Sequence, residues 1–334
     1  MKKIMTRLLS LVLLGAFIPS FVLADNWDLD KGSITVSATV ESQTVSQAGG
    51  SSTVDNNPVI TSSSGKTNNT VTITAEKNAT ANVTLENVNI DTGKPGGAAI
   101  TTSGEGNVNI ELDGTNTVQS GYGHAGVEKK GDGTLTITDE NKDGSLTATG
   151  GTWGAGIGGG YEGSGSNITI SDGKVTATGG GAGAGIGGGC DGSGSGITIE
   201  GGEVTAQGDL SGAGIGGGLN GTGSDVTISG DAQVKVQGGA ADIYWHKGAA
   251  IGNGGTRTTE GNEVSPNTSD LTVEGSIQIY EPGKNINTDT PDKTITGTVG
   301  DHSWNASVVT AETVPESKAA AYWVCDPEGQ SIPY

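Results

Sequence analysis

Residues 167–195 read NITISDGKVTATGGGAGAGIGGGCDGSGS, and residues 196–224 repeat them as GITIEGGEVTAQGDLSGAGIGGGLNGTGS. Ile168, Ile197 and Val226 open the Ile-Thr-Ile-type triplets, while Ile157, Ile186 and Ile215 centre three copies of Gly-Ala-Gly-Ile-Gly-Gly-Gly, all at a spacing of 29. Two markers keep one period, and a fixed period of a few tens of residues implies stacked structural units. Each unit divides into three short pieces whose apolar residues lie two apart, as strands with one buried face require: Ile168-Thr169-Ile170, then Lys174–Thr178, then Ala184-Gly185-Ile186. Asp172-Gly173, Gly179–Gly183 and Gly187–Gly196 separate the pieces and read as corners needing positive φ. Three strands and three corners make a triangular coil, which buries its inward side chains only when coils stack at the strand spacing of ~4.8 Å. The expected fold is therefore all-β, a right-handed parallel β-helix of three-strand coils with a 29-residue repeat.

The ladders follow from the register: Ile168 over Ile197 over Val226, Ile170 over Ile199 over Ile228, and Ala155 over Ala184 over Ala213. Tyr161, Cys190 and Leu219 share a further position, which reads as an inward ladder with a buried thiol. Working outward, upstream coils start near Val83, Val108 and Leu135, and a degenerate glycine element spans Gly248–Gly255. An insertion at residues 238–268, carrying Tyr244-Trp245-His246, breaks the period, and loops that do so tend to gather on one face of a solenoid. The repeat region is thus 71–294. Residues 25–70, rich in Ser, Thr, Gln and Asn, are expected to form an N-terminal cap and first irregular coil, and residues 295–334 a C-terminal cap, because the open ends of a solenoid expose strand edges.

Residues 1–24 have the anatomy of a signal peptide: Lys2, Lys3 and Arg7, an apolar stretch from Leu8 to Leu23, and small residues Val22 and Ala24 before a cleavage site at Asp25. A secreted protein, extracellular or at the cell surface, is expected, with no integral membrane segment after cleavage. Removal of this segment leaves 14 basic against 37 acidic residues, a net charge of −23, with Arg257 the one remaining arginine. Phosphate binding needs clustered cations, so nucleic acid is excluded as a partner. With 61 glycines and 4% aromatic residues, an ordinary core of large rings is excluded as well.

The Gly-Ala-Gly-Ile-Gly-Gly-Gly elements, the Ile-Thr-Ile and Val-Thr-Ala-Thr-Gly strings and the leading Trp27-Asp28-Leu29 segment resemble secreted glycine-rich repeat proteins of gut and anaerobic bacteria. The resemblance covers most of residues 27–255. It implies a β-helix of the kind described as adhesin-like or carbohydrate-binding surface proteins.

Catalytic chemistry leaves no signature. Paired carboxylates work as acid and base only when held on one face, and no such cluster stands out. His124, His246 and His302 are the three histidines, and they are far apart in a fold where sequence distance becomes axial distance. The glycine strings sit inside strand repeats, not at strand-to-helix turns, which dismisses phosphate loops. No cofactor is expected. Calcium is the one candidate ion, through a ladder of oxygen-bearing corner residues, Glu162, Asp191 and Asn220; plain turn chemistry explains the same residues. Cys190 and Cys325 form the one available disulfide, which the expected burial of Cys190 weighs against. Two outward surfaces suit a partner. One is the polar row Thr147, Thr149, Thr176, Thr178, Thr205 and Gln207; the other is the glycine strand, either a bare amide-rich face or a surface packed within the fold. Sugar faces stack on rings, so Trp153, Tyr244, Trp245 and His246 are the candidate ligand contacts. The reading is a non-catalytic, adhesin-like protein that binds an extracellular polysaccharide or a surface protein. A polysaccharide lyase or hydrolase, and a structural spacer of a cell-surface layer, are the alternatives.

Overall fold

The computed structural model describes residues 26–94 and 96–297, together with the backbone of Val324–Cys325 and Ser331–Ile332. The expected signal peptide and nearly all of the expected C-terminal cap lie outside the described residues. Inside them the chain is an all-β solenoid of about 7 turns with about 29 residues per turn. The triplets form an eight-stranded sheet that runs from Asn26–Asp28 to Val226–Ile228, here called the triplet sheet. The Val-Thr-Ala-Thr strands form a second eight-stranded sheet, from Asn89–Asp91 to Ser276–Tyr280 with Lys293–Thr296 at its edge. Ten strands form the glycine sheet, which ends at Ile251–Gly252.

The sequence register is the structural register. Ile168 pairs with Ile197 and Ile197 with Val226, while Ile170 pairs with Ile199 and Ile199 with Ile228, all in parallel. These residues, with Ala155, Ala184 and Ala213, are 0–3% exposed. Burial at that level contributes roughly 1.5–3 kcal/mol for each large aliphatic side chain, so the narrow core is the main stabilising term. Thr147, Thr176 and Thr205 align with one another and with Lys235 on the outer face of the second sheet, as the polar row requires. The expected insertion at 238–268 contains a further rung, because Ile251–Gly252 pairs with Ile215–Gly216.

The glycine sheet is held by unusually close backbone approach. Gly187 has φ +132°, and a Cβ built on it would lie 2.0 Å from the carbonyl oxygen of Gly216 in the next coil; Gly158, at φ +134°, stands in the same relation to Gly187. Both the conformation and the space admit only glycine. Residues 155–159, 184–188 and 213–217 are buried throughout. The glycine strand is therefore packed within the fold, and the bare face expected as one alternative does not exist: the flanking corners fold over it, a Cβ on Gly188 meeting the Gly192 carbonyl at 2.1 Å.

The ends are closed by side chains that imitate backbone. At the N-terminal end, Ile34–Ala38 pairs parallel with Val71–Ala75 and antiparallel with Gln43–Gln47. Trp27 Nε1 donates to the buried Asp55, at 2.8 Å. The Gln43 amide then serves Asn82 as a missing strand would: its oxygen accepts the Asn82 N–H at 2.8 Å and its nitrogen donates to the Asn82 carbonyl at 2.9 Å. At the other end, Gly214 and Ile215 donate their N–H groups to the carbonyls of Ala249 and Ala250 in the coil above. Among the described residues no further strand of this sheet lies above Ala250 and Ile251. The two carboxylate oxygens of Glu263 accept those N–H groups instead, at 2.7 and 3.0 Å. A buried strand edge left unsatisfied costs about 1–3 kcal/mol per group, which is what these caps avoid.

Gly187→Ala is expected to cost more than about 3 kcal/mol, since the new methyl would meet backbone at a positive φ. Gly181→Ala is the control, because there a Cβ comes closest to the Thr152 side chain, at 3.1 Å, and no nearer than 3.8 Å to backbone. It is expected to cost less than about 1 kcal/mol. Chemical denaturation of the two variants measures the difference.

Candidate functional site

Each glycine strand is flanked by two corners, for example Gly150–Gly154 before Ile157–Gly158 and Gly159–Gly163 after it. The corner after the strand hangs on the corner before the strand in the coil below. Tyr161 N–H donates to the Gly123 carbonyl at 2.8 Å, Cys190 N–H to Trp153 at 2.9 Å, and Leu219 N–H to Ala182 at 2.8 Å. This ties the two corners together outside the sheet, and their side chains meet there. Ala182, Cys190 and Leu219 form a small buried cluster separate from the solenoid core, with Trp153 and Trp245 packed against it.

The position shared by Tyr161, Cys190 and Leu219 is therefore not the inward ladder expected from the sequence. The thiol is buried, at 6% exposure, yet Tyr161 is 44% exposed. The reason is local: these residues follow the strand, where the backbone has turned outward, and they are covered by the neighbouring corner and not by the coil interior. Burial pushes the Cys190 thiol up to about 12. The Cys190–Cys325 pairing involves a side chain outside those described.

Three rings extend the cluster downward. Trp153 lies between Tyr122 and Tyr161, with ring centroids at 4.8 and 4.9 Å and tilted planes. Tilted contacts of this kind add about 0.5–1.5 kcal/mol each, and Tyr122 and Tyr161 remain 61% and 44% exposed while Trp153 is half-buried between them. From Tyr122 to Leu219 the strip climbs three coil steps, roughly 14 Å at the strand spacing. At its upper end the Arg257 guanidinium sits 5.3 Å over the Trp245 ring. Asp242 Oδ1 accepts the N–H groups of Tyr244 and Trp245, both at 2.7 Å, and so fixes the loop that delivers Trp245. Of the four expected contacts, Trp153 and Trp245 share the strip, while Tyr244 and His246 are exposed on the inserted loop beside it.

Trp153 has φ +74°, and the matching residue of the next coil is Ala182 at +77°. The corner imposes this conformation, which costs a non-glycine residue roughly 1–2 kcal/mol. Nothing in the backbone calls for an indole there.

The candidate calcium ladder borders the strip. Glu162, Asp191 and Asn220 are exposed and have φ of 57°, 63° and 61°. Asp and Asn tolerate this left-handed conformation, which accounts for two of the three residues without any ion. The Asn220 amide donates to Asp191 Oδ1 at 2.8 Å, a contact that joins two members of the ladder to each other. Among the described residues, no group of three or more His, Cys, Asp or Glu side chains could hold a metal ion. Hydrogen bonding to Glu162 holds the Tyr161 phenol above its usual range.

Sequence reasoning missed Tyr122 and Glu128. Glu128 is 2% exposed in the glycine sheet, one coil below the first glycine element. Its carboxylate accepts His124 Nδ1 at 2.6 Å and the Ala125 N–H at 3.2 Å, and its other oxygen pairs with Lys130 Nζ at 2.6 Å. In the coil above, the equivalent Ala155 N–H is taken by the Gly159 carbonyl. Glu128 thus stands in for a backbone carbonyl where the stack of glycine corners begins. The spacing of His124 and Glu128 was the available signal.

Trp153→Gly is expected to reduce stability by less than about 2 kcal/mol, because relief of the positive φ offsets much of the lost ring packing. Urea unfolding checks this. A loss above about 4 kcal/mol would make the ring a structural wedge.

A protein-family model described as a beta helix repeat matches residues 142–161, 168–190 and 197–219, so the chain is similar to such repeats across three successive coils. No curated protein and no solved structure matches the chain. Among the described residues no helix is long and apolar enough to cross a membrane.

Proposed function

We propose that this β-helix repeat protein is exported and acts, without catalysis, as an adhesin-like binder of extracellular or surface glycan through the aromatic strip. The observation that carries the reading is the row in which the half-buried Trp153 lies between the exposed Tyr122 and Tyr161, built at a corner whose φ disfavours a bulky side chain. Ring faces suit the CH-rich faces of sugars. The adjoining Glu162, Asp191 and Asn220, with Ser193 and Thr222 bonded to each other at 3.0 Å, place hydroxyl partners beside the rings. The acidic surface turns away polyanions, so neutral glycans are the favoured class.

The test is an array of neutral, amino and acidic glycans probed with the purified protein, in calcium and in chelator. Saturable binding to a neutral class is expected, weakened at least about tenfold in both Trp153→Ala and Trp245→Ala. Silence in both buffers, or undiminished binding by Trp153→Ala, would remove glycan recognition by the strip. Loss in chelator alone would return calcium to the Glu162 ladder.

A further inference from the structure

We propose that the outer face of the triplet sheet holds a second binding site, a polar groove for an uncharged polyhydroxyl chain, so that one molecule engages two glycan segments at once. The proposal shares with the reading above only its class of ligand.

The groove has a volume of about 370 Å³, within the range of ligand pockets. Its floor is two outward rows fixed by strand register: Asn82, Asn109 and Thr136 in one, and Thr84, Glu111 and Thr138 in the other. Each row offers one polar side chain per coil, at steps of ~4.8 Å along the solenoid axis. Asn109 Nδ2 donates to Asn82 Oδ1 at 2.9 Å, which holds the two amides in line. Asn57, from the N-terminal region, and Glu140 and Ser171 line it further. No residue of the aromatic strip lines the groove.

The lining selects the ligand. It contains no Lys, Arg or His, so a carboxylate, sulfate or phosphate would find no counter-charge and would face Glu111 and Glu140. It contains no ring, so recognition there is by hydrogen bonds. Amides and hydroxyls supply donors and acceptors in alternation, the pattern that the hydroxyls of a neutral sugar chain answer. One lining group also lacks a partner. Glu111 Oε1 accepts the Glu140 N–H at 2.8 Å, whereas Oε2 is shielded from water and makes no hydrogen bond. Burial, with Glu140, Asp139 and Asp113 nearby, holds this carboxyl above its usual range. A buried polar atom left unpaired is costly, and a small shift that let a ligand hydroxyl reach it would recover that cost.

The experiment is the same printed array of neutral, amino and acidic oligosaccharides, probed with wild type, Thr136→Lys, Thr138→Lys, Thr227→Lys and Trp153→Ala. Thr227 continues the row of Thr136 through Thr169 and Thr198 but lies outside the groove lining, so its variant controls for an added surface lysine. A set of neutral glycans is expected to lose at least about tenfold in affinity in both groove variants while keeping wild-type affinity in Thr227→Lys and Trp153→Ala. The proposal is overturned if both groove variants bind every glycan as wild type does, if Thr227→Lys loses the same set, or if that set consists of amino or acidic glycans. Failure of the strip reading is separate: Trp153→Ala would then bind all glycans normally, whatever the groove variants do.

Discussion

The structure depends on the distance at which one coil's carbonyl passes the next coil's glycine. At Gly158, Gly187 and Gly216 a Cβ would stand 2.0 Å from the oxygen above it, so these three successive glycine strands stack as they do only because the positions carry no side chain. Such proximity lets the two flanking corners close over the strand and hydrogen-bond to each other. Corner closure in turn creates an outer layer of side chains that the coil interior does not need. The aromatic strip is built from that layer, which is why a solenoid with very few aromatic residues can gather three of them at one corner.

Where the stack of glycine corners starts or stops, its backbone partners are missing, and side chains replace them. Glu128 takes the place of a corner carbonyl below the first glycine element, Glu263 takes the place of two carbonyls above the last, and Gln43 imitates a strand beside Asn82. Each side chain presents its acceptors within a normal hydrogen-bond length of the orphaned N–H. The consequence is that N–H groups which would otherwise lie open where the described glycine corners begin and end have acceptors. Among the acidic residues of this chain, Glu128 and Glu263 are thus architectural, whereas Glu162 and Asp191 belong to the exposed border of the strip.

Much of this was legible because the two 29-residue markers are periodic. The pairing of Ile168, Ile197 and Val226 and the three strands of each coil follow from counting; the rung at Ile251 falls inside the expected insertion, off the 29-residue period, and only its degenerate glycine motif hinted at it. What could not be counted was not legible. Alternation says which residues in a strand point inward, but it says nothing about a corner, so Cys190 and Leu219 were assigned to the wrong side of the wall. Trp153 and Trp245 were singled out separately for their types; that they share one cluster follows from the conformation of the inserted loop, which the Asp242 turn sets. Side chains that replace backbone, such as Glu128 and Glu263, occur once each and leave no periodic trace. The groove on the triplet sheet was hidden for another reason: Asn82, Asn109 and Glu111 precede the regular repeats, and only the register of irregular coils aligns them.

Amide hydrogen exchange on the purified protein tests the central claim most directly, because a run of glycines ordinarily signals a flexible loop and here it forms the packed wall. The account requires the amides of Gly156, Ile157, Gly185, Ile186, Gly214 and Ile215 to exchange in the slowest class, together with those of the Ile-Thr-Ile strands. Exchange of these amides as fast as that of the exposed loop around Ile243 and Tyr244 would contradict it.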